Sequence, residues 1–104
     1  MISSNIIANS GLHDYEVVSL YIDNLNASVF IRLKDTYGSK LKMTINKFSN
    51  LNISHKEPWG KGSYIVSSDL QEQDGSVIIL IELNSGDIIA VESFGESTIN
   101  FELS

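Results

Sequence analysis

The sequence predicts an all-β domain: a single antiparallel β-sandwich or partly open barrel of seven to eight short strands. Three observations carry this. Apolar and polar residues alternate with period two from residue 15 onward. Turn-forming Asn, Asp, Gly and Ser clusters punctuate that alternation at the spacing of short strands. No window shows a convincing helical stripe, and residues 2–12, where Ile2, Ile6 and Ile7 could cap one end of a barrel, offer the only place for a short helix.

The elements follow in order. Tyr15–Asp23 (YEVVSLYID) is the first strand, ended by Asn24-Leu25-Asn26. Val29, Ile31 and Leu33 then alternate with Phe30, Arg32 and Lys34. After Asp35-Thr36-Tyr37-Gly38-Ser39, a third strand alternates Leu41, Met43 and Ile45 with Lys42, Thr44 and Asn46. Residues 49–62 are the least regular, with Leu51 and Ile53 in a short strand. Tyr64–Leu70 resumes the alternation, and Asp74-Gly75 is a hairpin turn. Ser76–Asn84 is apolar on both faces, as a central strand is. Ser85-Gly86 links it to Asp87–Phe94, and Gly95-Glu96 leads into Thr98–Leu103.

Opposed residues of an antiparallel pair share a face, so parity converts these strands into geometry. Facing Leu33 with Leu41 sets Arg32 and Lys34 against Lys40 and Lys42 on the other side, through a loop of three or five residues around Gly38. Like charges directly opposite are destabilising, so acidic side chains of a neighbouring strand are expected to neutralise them. A two-residue Ser85-Gly86 turn pairs Leu83 with Ile88, Ile81 with Ala90 and Ile79 with Glu92. Continuing that hairpin sets Ile99, Phe101 and Leu103 against Glu92, Ala90 and Ile88. The resulting core face contains Glu92, which would be paired, protonated or swung outward by a bulge near Ser93.

Length and composition bound what such a domain does. One domain of 104 residues and 11.5 kDa buries roughly 65% of its unfolded surface and needs no staples. Without cysteine, disulfide scaffolds, thiolate metal sites and cysteine nucleophiles are excluded. No apolar run is long enough to span a bilayer, and the N-terminus lacks the features of a signal peptide, so a cytoplasmic location without membrane contact is expected. The net charge of −6 hides a segregation: all seven basic residues lie between positions 32 and 61. Two acids there leave that segment at +5, while residues 1–31 carry three acids and residues 62–104 carry eight. The molecule therefore either shows two faces of opposite sign or packs the two kinds of segment side by side.

Candidate chemistry is sparse. His13, Asp14, His55 and Glu57 form a weak candidate polar site, since imidazole and carboxylate suit zinc or manganese, although Asp14 also fits a turn before strand one. No nucleophile elbow and no phosphate-binding loop occurs. No catalytic residue, metal or other cofactor is assigned. The segment His55–Gly62 holds the only proline and the only tryptophan. Trp59 is either a plug at the end of the barrel or an exposed anchor for a partner. Nucleic-acid binding through Trp59, Tyr37 and the lysines is opposed by the pI of about 4.6.

Leu12-His13-Asp14 leading into a strand, Pro58-Trp59-Gly60 mid-chain and Glu82-Leu83-Asn84-Ser85-Gly86-Asp87 in a late hairpin together resemble a family of small bacterial proteins. Related small domains are immunity proteins of polymorphic toxin systems. The resemblance spans most of residues 12–103 and implies a compact β domain with a binding role and no established catalytic residues. The function expected is thus a non-enzymatic protein-binding module, immunity-like and toxin-neutralising. Trp59, Asp69, Glu72, Asp74 and Asp87 are its candidate partner-binding residues. The alternatives are a self-associating homodimer built edge to edge and a small metal-dependent or carbohydrate-active protein.

Overall fold

A computed structural model describes residues 11–55, 63–94 and 99–103. These residues form eight strands: β1 (Glu16–Asp23), β2 (Ser28–Lys34), β3 (Lys40–Ile45), β4 (Phe48–Ile53), β5 (Ile65–Gln73), β6 (Ser76–Leu83), β7 (Ile88–Phe94) and β8 (Ile99–Leu103). They build two four-stranded antiparallel sheets, sheet A in the order β1-β2-β3-β8 and sheet B in the order β4-β7-β6-β5. The sheets pack face to face as a β-sandwich rather than a closed barrel. Residues 11–14 form a turn, and no helix occurs among the described residues; most of the segment expected to hold one, residues 2–12, lies outside them.

The two sheets are joined along a seam between β1 and β5, and again where the Phe48 N–H donates to the Ala27 carbonyl at 3.0 Å. Glu16 of β1 bridges Tyr64, the Asp14 N–H donates to the Ile65 carbonyl at 2.8 Å, and the Ile65 N–H donates to the Tyr15 carbonyl at 2.8 Å. Just past this seam both strands carry a bulge, between Val17 and Ser19 in β1 and between Ile65 and Ser67 in β5. A bulge bends its strand and increases local twist, which turns each edge strand into its own sheet. It also resets parity: Val17 faces the core, Val18 and Ser19 face out, and Leu20 returns inward against Ile31. Strict alternation through YEVVSLYID misses that switch.

The core between the sheets is aliphatic. Val29, Ile31 and Leu33 of β2, Leu41, Met43 and Ile45 of β3, Val77, Ile79, Ile81 and Leu83 of β6, and Ile89 and Val91 of β7 are buried. Leu12 joins them from the N-terminal turn, its N–H bonded to the Ser68 hydroxyl at 3.2 Å.

The β2–β3 hairpin has the expected register, with Leu33 opposite Leu41, Arg32 opposite Lys42 and Lys34 opposite Lys40. Its five-residue loop is clamped by Asp35, whose Oδ1 accepts the N–H groups of Tyr37 (2.9 Å) and Ser39 (2.8 Å). Asp74 and Gly75, at φ 47° and 82°, make the two-residue β5–β6 turn that both-positive dihedrals favour.

The β6–β7 hairpin differs from expectation by one residue. Its loop holds three residues, Asn84-Ser85-Gly86: the Leu83 N–H donates to the Asp87 carbonyl at 2.8 Å, and Gly86 takes the left-handed φ of 89°. Glu82 consequently faces Ile88, Leu80 faces Ala90 and Ile78 faces Glu92. A one-residue slip exchanges the faces of a strand. Ile89, Val91 and Ser93 are the buried side of β7, while Ile88, Ala90, Glu92 and Phe94 point outward. Glu92 therefore lies outside the core because of turn length, not because of a bulge. A second correction concerns β8, which leaves β7 and crosses to sheet A, where Glu102 pairs with Lys42 and Phe101 with Met43.

Two measurements check this architecture. Ile88 is 45% exposed and Ile89 is fully buried. Urea unfolding should show Ile89→Ala losing about 2–5 kcal/mol and Ile88→Ala about 0.5 kcal/mol or less; the two-residue turn would reverse that order. In the β1–β2 turn, the Asn26 side-chain amide donates to Asp23 at 2.8 Å and its backbone N–H donates at 3.3 Å. The side-chain bond first, then the backbone N–H groups of Asn26 and Leu25, hold the Asp23 carboxyl below its ordinary pKa. A depressed folded-state pKa contributes stability above the unfolded value, lost as pH falls through the folded one. NMR titration of Asn26→Ala should move Asp23 up toward the ordinary carboxylate value; an unmoved pKa would contradict this origin.

Candidate functional site

Sorting the strand charges by sheet gives the main electrostatic feature. The strands of sheet A hold Arg32, Lys34, Lys40 and Lys42 with Glu16, Asp23 and Glu102. The strands of sheet B hold Asp69, Glu72, Glu82 and Glu92 and no Lys, Arg or His. Sequence segregation thus becomes a difference between the two layers.

On the outer face of sheet A, two cross-strand rows carry the charge. One runs Glu16–Lys34–Lys40, the next Ser19–Arg32–Lys42–Glu102. Acids from β1 and β8 flank the four cations, as the parity of the hairpin required. Lys42 Nζ lies 3.5 Å from Glu102 Oε1 and 5.2 Å from the Phe30 ring centroid. Phe30 in turn packs against Tyr21 with centroids 5.7 Å apart. Arg32, Lys34 and Lys40 are exposed.

The outer face of sheet B is of another kind. Successive cross-strand rows read Ser67–Glu82–Ile88, Asp69–Leu80–Ala90–Asn52 and Gln71–Ile78–Glu92–Asn50, followed by Ser76–Phe94. Each of the first three rows holds one carboxylate, and Ile78, Leu80, Ile88, Ala90 and Phe94 form an apolar strip among them. Phe94 is 60% exposed. A shallow depression of ≈ 450 Å³ lies over Ser67, Asp69, Leu80, Glu82 and Ile88. The two-faced apolarity of β6 is the mark of a central strand. It is central in its sheet, but its outer side contributes to an accessible strip. The signal that finds this strip is the three-residue turn, because only that register turns Ile88, Ala90 and Phe94 outward.

The candidate residues fall at separate places. Asp69 lies on this outer face. Glu72 follows the opposite parity of β5 and is exposed near the strand's end, and Asp74 sits at the exposed tip of the β5–β6 turn. Asp87 is fully buried, which corrects its expected place on the surface: its carboxylate accepts the Ser85 hydroxyl at 2.8 Å inside the β6–β7 loop. Strand pairing sets two further acids, Glu82 and Glu92, in the rows adjacent to that of Asp69. Trp59 and Glu57 lie outside the described residues.

His13 and Asp14 are neighbours, with Nδ1 3.2 Å from the carboxylate, and both are exposed. Asp14 adopts φ 73°, a conformation Asp tolerates, at the seam with β5. His55 follows β4 at the opposite edge of sheet B, about three strand spacings or 14 Å away. Among the described residues no group of three His, Asp or Glu side chains is placed to hold a metal ion. A second open depression, ≈ 670 Å³, lies at the seam between Asp14, Glu16, Lys34, Asp35, Tyr37 and Tyr64. No helix among the described residues is long and apolar enough to cross a membrane.

Comparison with known proteins supports the fold. No protein-family model matches the chain, and no curated protein matches it. A crystal structure of an uncharacterized protein from Neisseria gonorrhoeae is similar, with a TM-score of 0.66 at 19% sequence identity, covering 86% of this chain and 91% of that one. At that identity the likeness establishes a shared architecture.

The Lys42–Glu102 contact ties β8 to sheet A, yet Glu102 is 61% exposed. Glu102→Gln should therefore cost only about 0.2–1 kcal/mol at low salt and nothing measurable in concentrated salt. A larger or salt-independent loss in denaturant titrations would contradict the exposed geometry.

Proposed function

We propose that this chain is a non-enzymatic protein-binding module of the immunity type its sequence resembles. In this reading the outer face of sheet B covers a basic surface of a partner protein. One observation carries it: an apolar strip of Ile78, Leu80, Ile88, Ala90 and Phe94, interspersed with Asp69, Glu82 and Glu92, on a sheet whose strands hold no cation. Apolar area that desolvates against a partner supplies affinity, and surrounding charge of one sign supplies specificity and fast association. Exposed apolar strips of this kind on small domains mark interaction surfaces.

The opposite sign of sheet A adds orientation. A positively charged partner is attracted by one layer and repelled by the other, so the encounter is biased toward sheet B before contact. Toxin neutralisation is one task such a surface suits, because enzymes that act on nucleic acids present basic active-site surfaces.

Immobilised wild type and an E82K/E92K variant should be compared for capture from the native cell lysate, with elution by salt and readout by mass spectrometry. The expected result is a stoichiometric basic protein on the wild type, eluting at moderate salt and reduced at least tenfold on the variant. Equal capture by both proteins, or a partner whose retention ignores salt, would overturn the proposal.

A further inference from the structure

We infer that the outer face of sheet A is a docking surface for the outer face of sheet B of a second copy, so that the protein associates head to tail. This rests on the reading of sheet B as a recognition surface and names an occupant for the face left unassigned.

The basis is charge complementarity between the two outer faces of the same molecule. Both are outer faces of four-stranded antiparallel sheets. One presents Arg32, Lys34 and Lys40 exposed, with Lys42 engaged by Glu102 and Glu16 in the row of Lys34, so cations outnumber acids four to two in these rows. The other presents Asp69, Glu82 and Glu92 in three successive rows. The rows on each face repeat every two residues, about 7 Å, so cations of one copy and carboxylates of the next share a spacing. Apolar groups match as well: Tyr21 and Phe30 adjoin the cations, while Leu80, Ala90 and Phe94 adjoin the acids.

The net charge of −6 opposes self-association, and magnitudes decide how far. Charges separated by more than a Debye length of about 8–10 Å are largely screened at physiological salt. The two layers of one sandwich are themselves about 10 Å apart, so each interface feels mainly the two faces that form it. Size sets the strength. A face about 19 Å wide and 20 Å long buries roughly 800 Å² in total, below the area of a stable complex. The contact is therefore weak, concentration-dependent and sensitive to salt. Because it joins different faces, it does not close at a dimer.

Sedimentation equilibrium over a wide concentration range at physiological salt tests this. Wild type should rise beyond twice the monomer mass and return to monomer at high salt. R32E/K40E reverses one face and E82K/E92K the other; each alone should remain monomeric. An equimolar mixture of the two should again associate beyond a dimer, because the intact faces are complementary and so are the two reversed ones. A wild type that is monomeric throughout, variants that still self-associate, or a mixture that fails to pair would each overturn the inference. All four sites are on the outer faces, and circular dichroism verifies folding; the milder R32Q/K40Q should weaken association in the same direction. The two proposals fail separately: R32E/K40E keeps the acidic face and should still capture the basic partner, whatever happens to self-association.

Discussion

The register of the β6–β7 hairpin is the constraint on which the account depends. A single hydrogen bond pattern, Leu83 N–H to the Asp87 carbonyl with Gly86 in the left-handed region, makes the loop three residues long. That length decides which side of β7 enters the core. With it, Ile89 and Val91 complete the aliphatic layer against sheet A, and Ser93 is buried beside them. The same choice expels Glu92 and turns Ile88, Ala90 and Phe94 to solvent. The core and the candidate binding face are two consequences of one turn.

Separation of the layers follows from a second local device. The paired bulges beyond the Glu16–Tyr64 bridge turn β1 and β5 into different sheets, leaving a sandwich with distinct outer faces. The charge segregation of the sequence acquires its spatial meaning there. Both options left open by composition are realised in part: acids of β1 and β8 do flank the cations within sheet A, and Asp69, Glu82 and Glu92 of sheet B face away from them.

Most strands were legible because half-buried strands have a period of two and their turns have distinctive chemistry. Asp74-Gly75 marked the β5–β6 turn, and matching Leu33 to Leu41 gave the β2–β3 register. What escaped was everything that depends on a one-residue choice or a long-range partner. Asn84-Ser85-Gly86 reads equally well as a two-residue or three-residue loop, since Gly suits either, and strict alternation hides the bulges at Val18 and Val66. The path of β8 to β3 is a non-local pairing that no local pattern encodes. Asp87 illustrates the cost for the site: a loop acid looks exposed in sequence, yet here its carboxylate is enclosed by the turn it stabilises.

The central claim is that the molecule presents two outer faces of opposite sign. Its most direct test is amide chemical-shift mapping at low ionic strength with two probes, an oligolysine and an oligoglutamate peptide. The account predicts that oligolysine perturbs outward residues of β5, β6 and β7, around Asp69, Glu82 and Glu92. Oligoglutamate should perturb β2 and β3 around Arg32, Lys34 and Lys40. Perturbation of one common set of residues by both peptides, or of neither face, would contradict it.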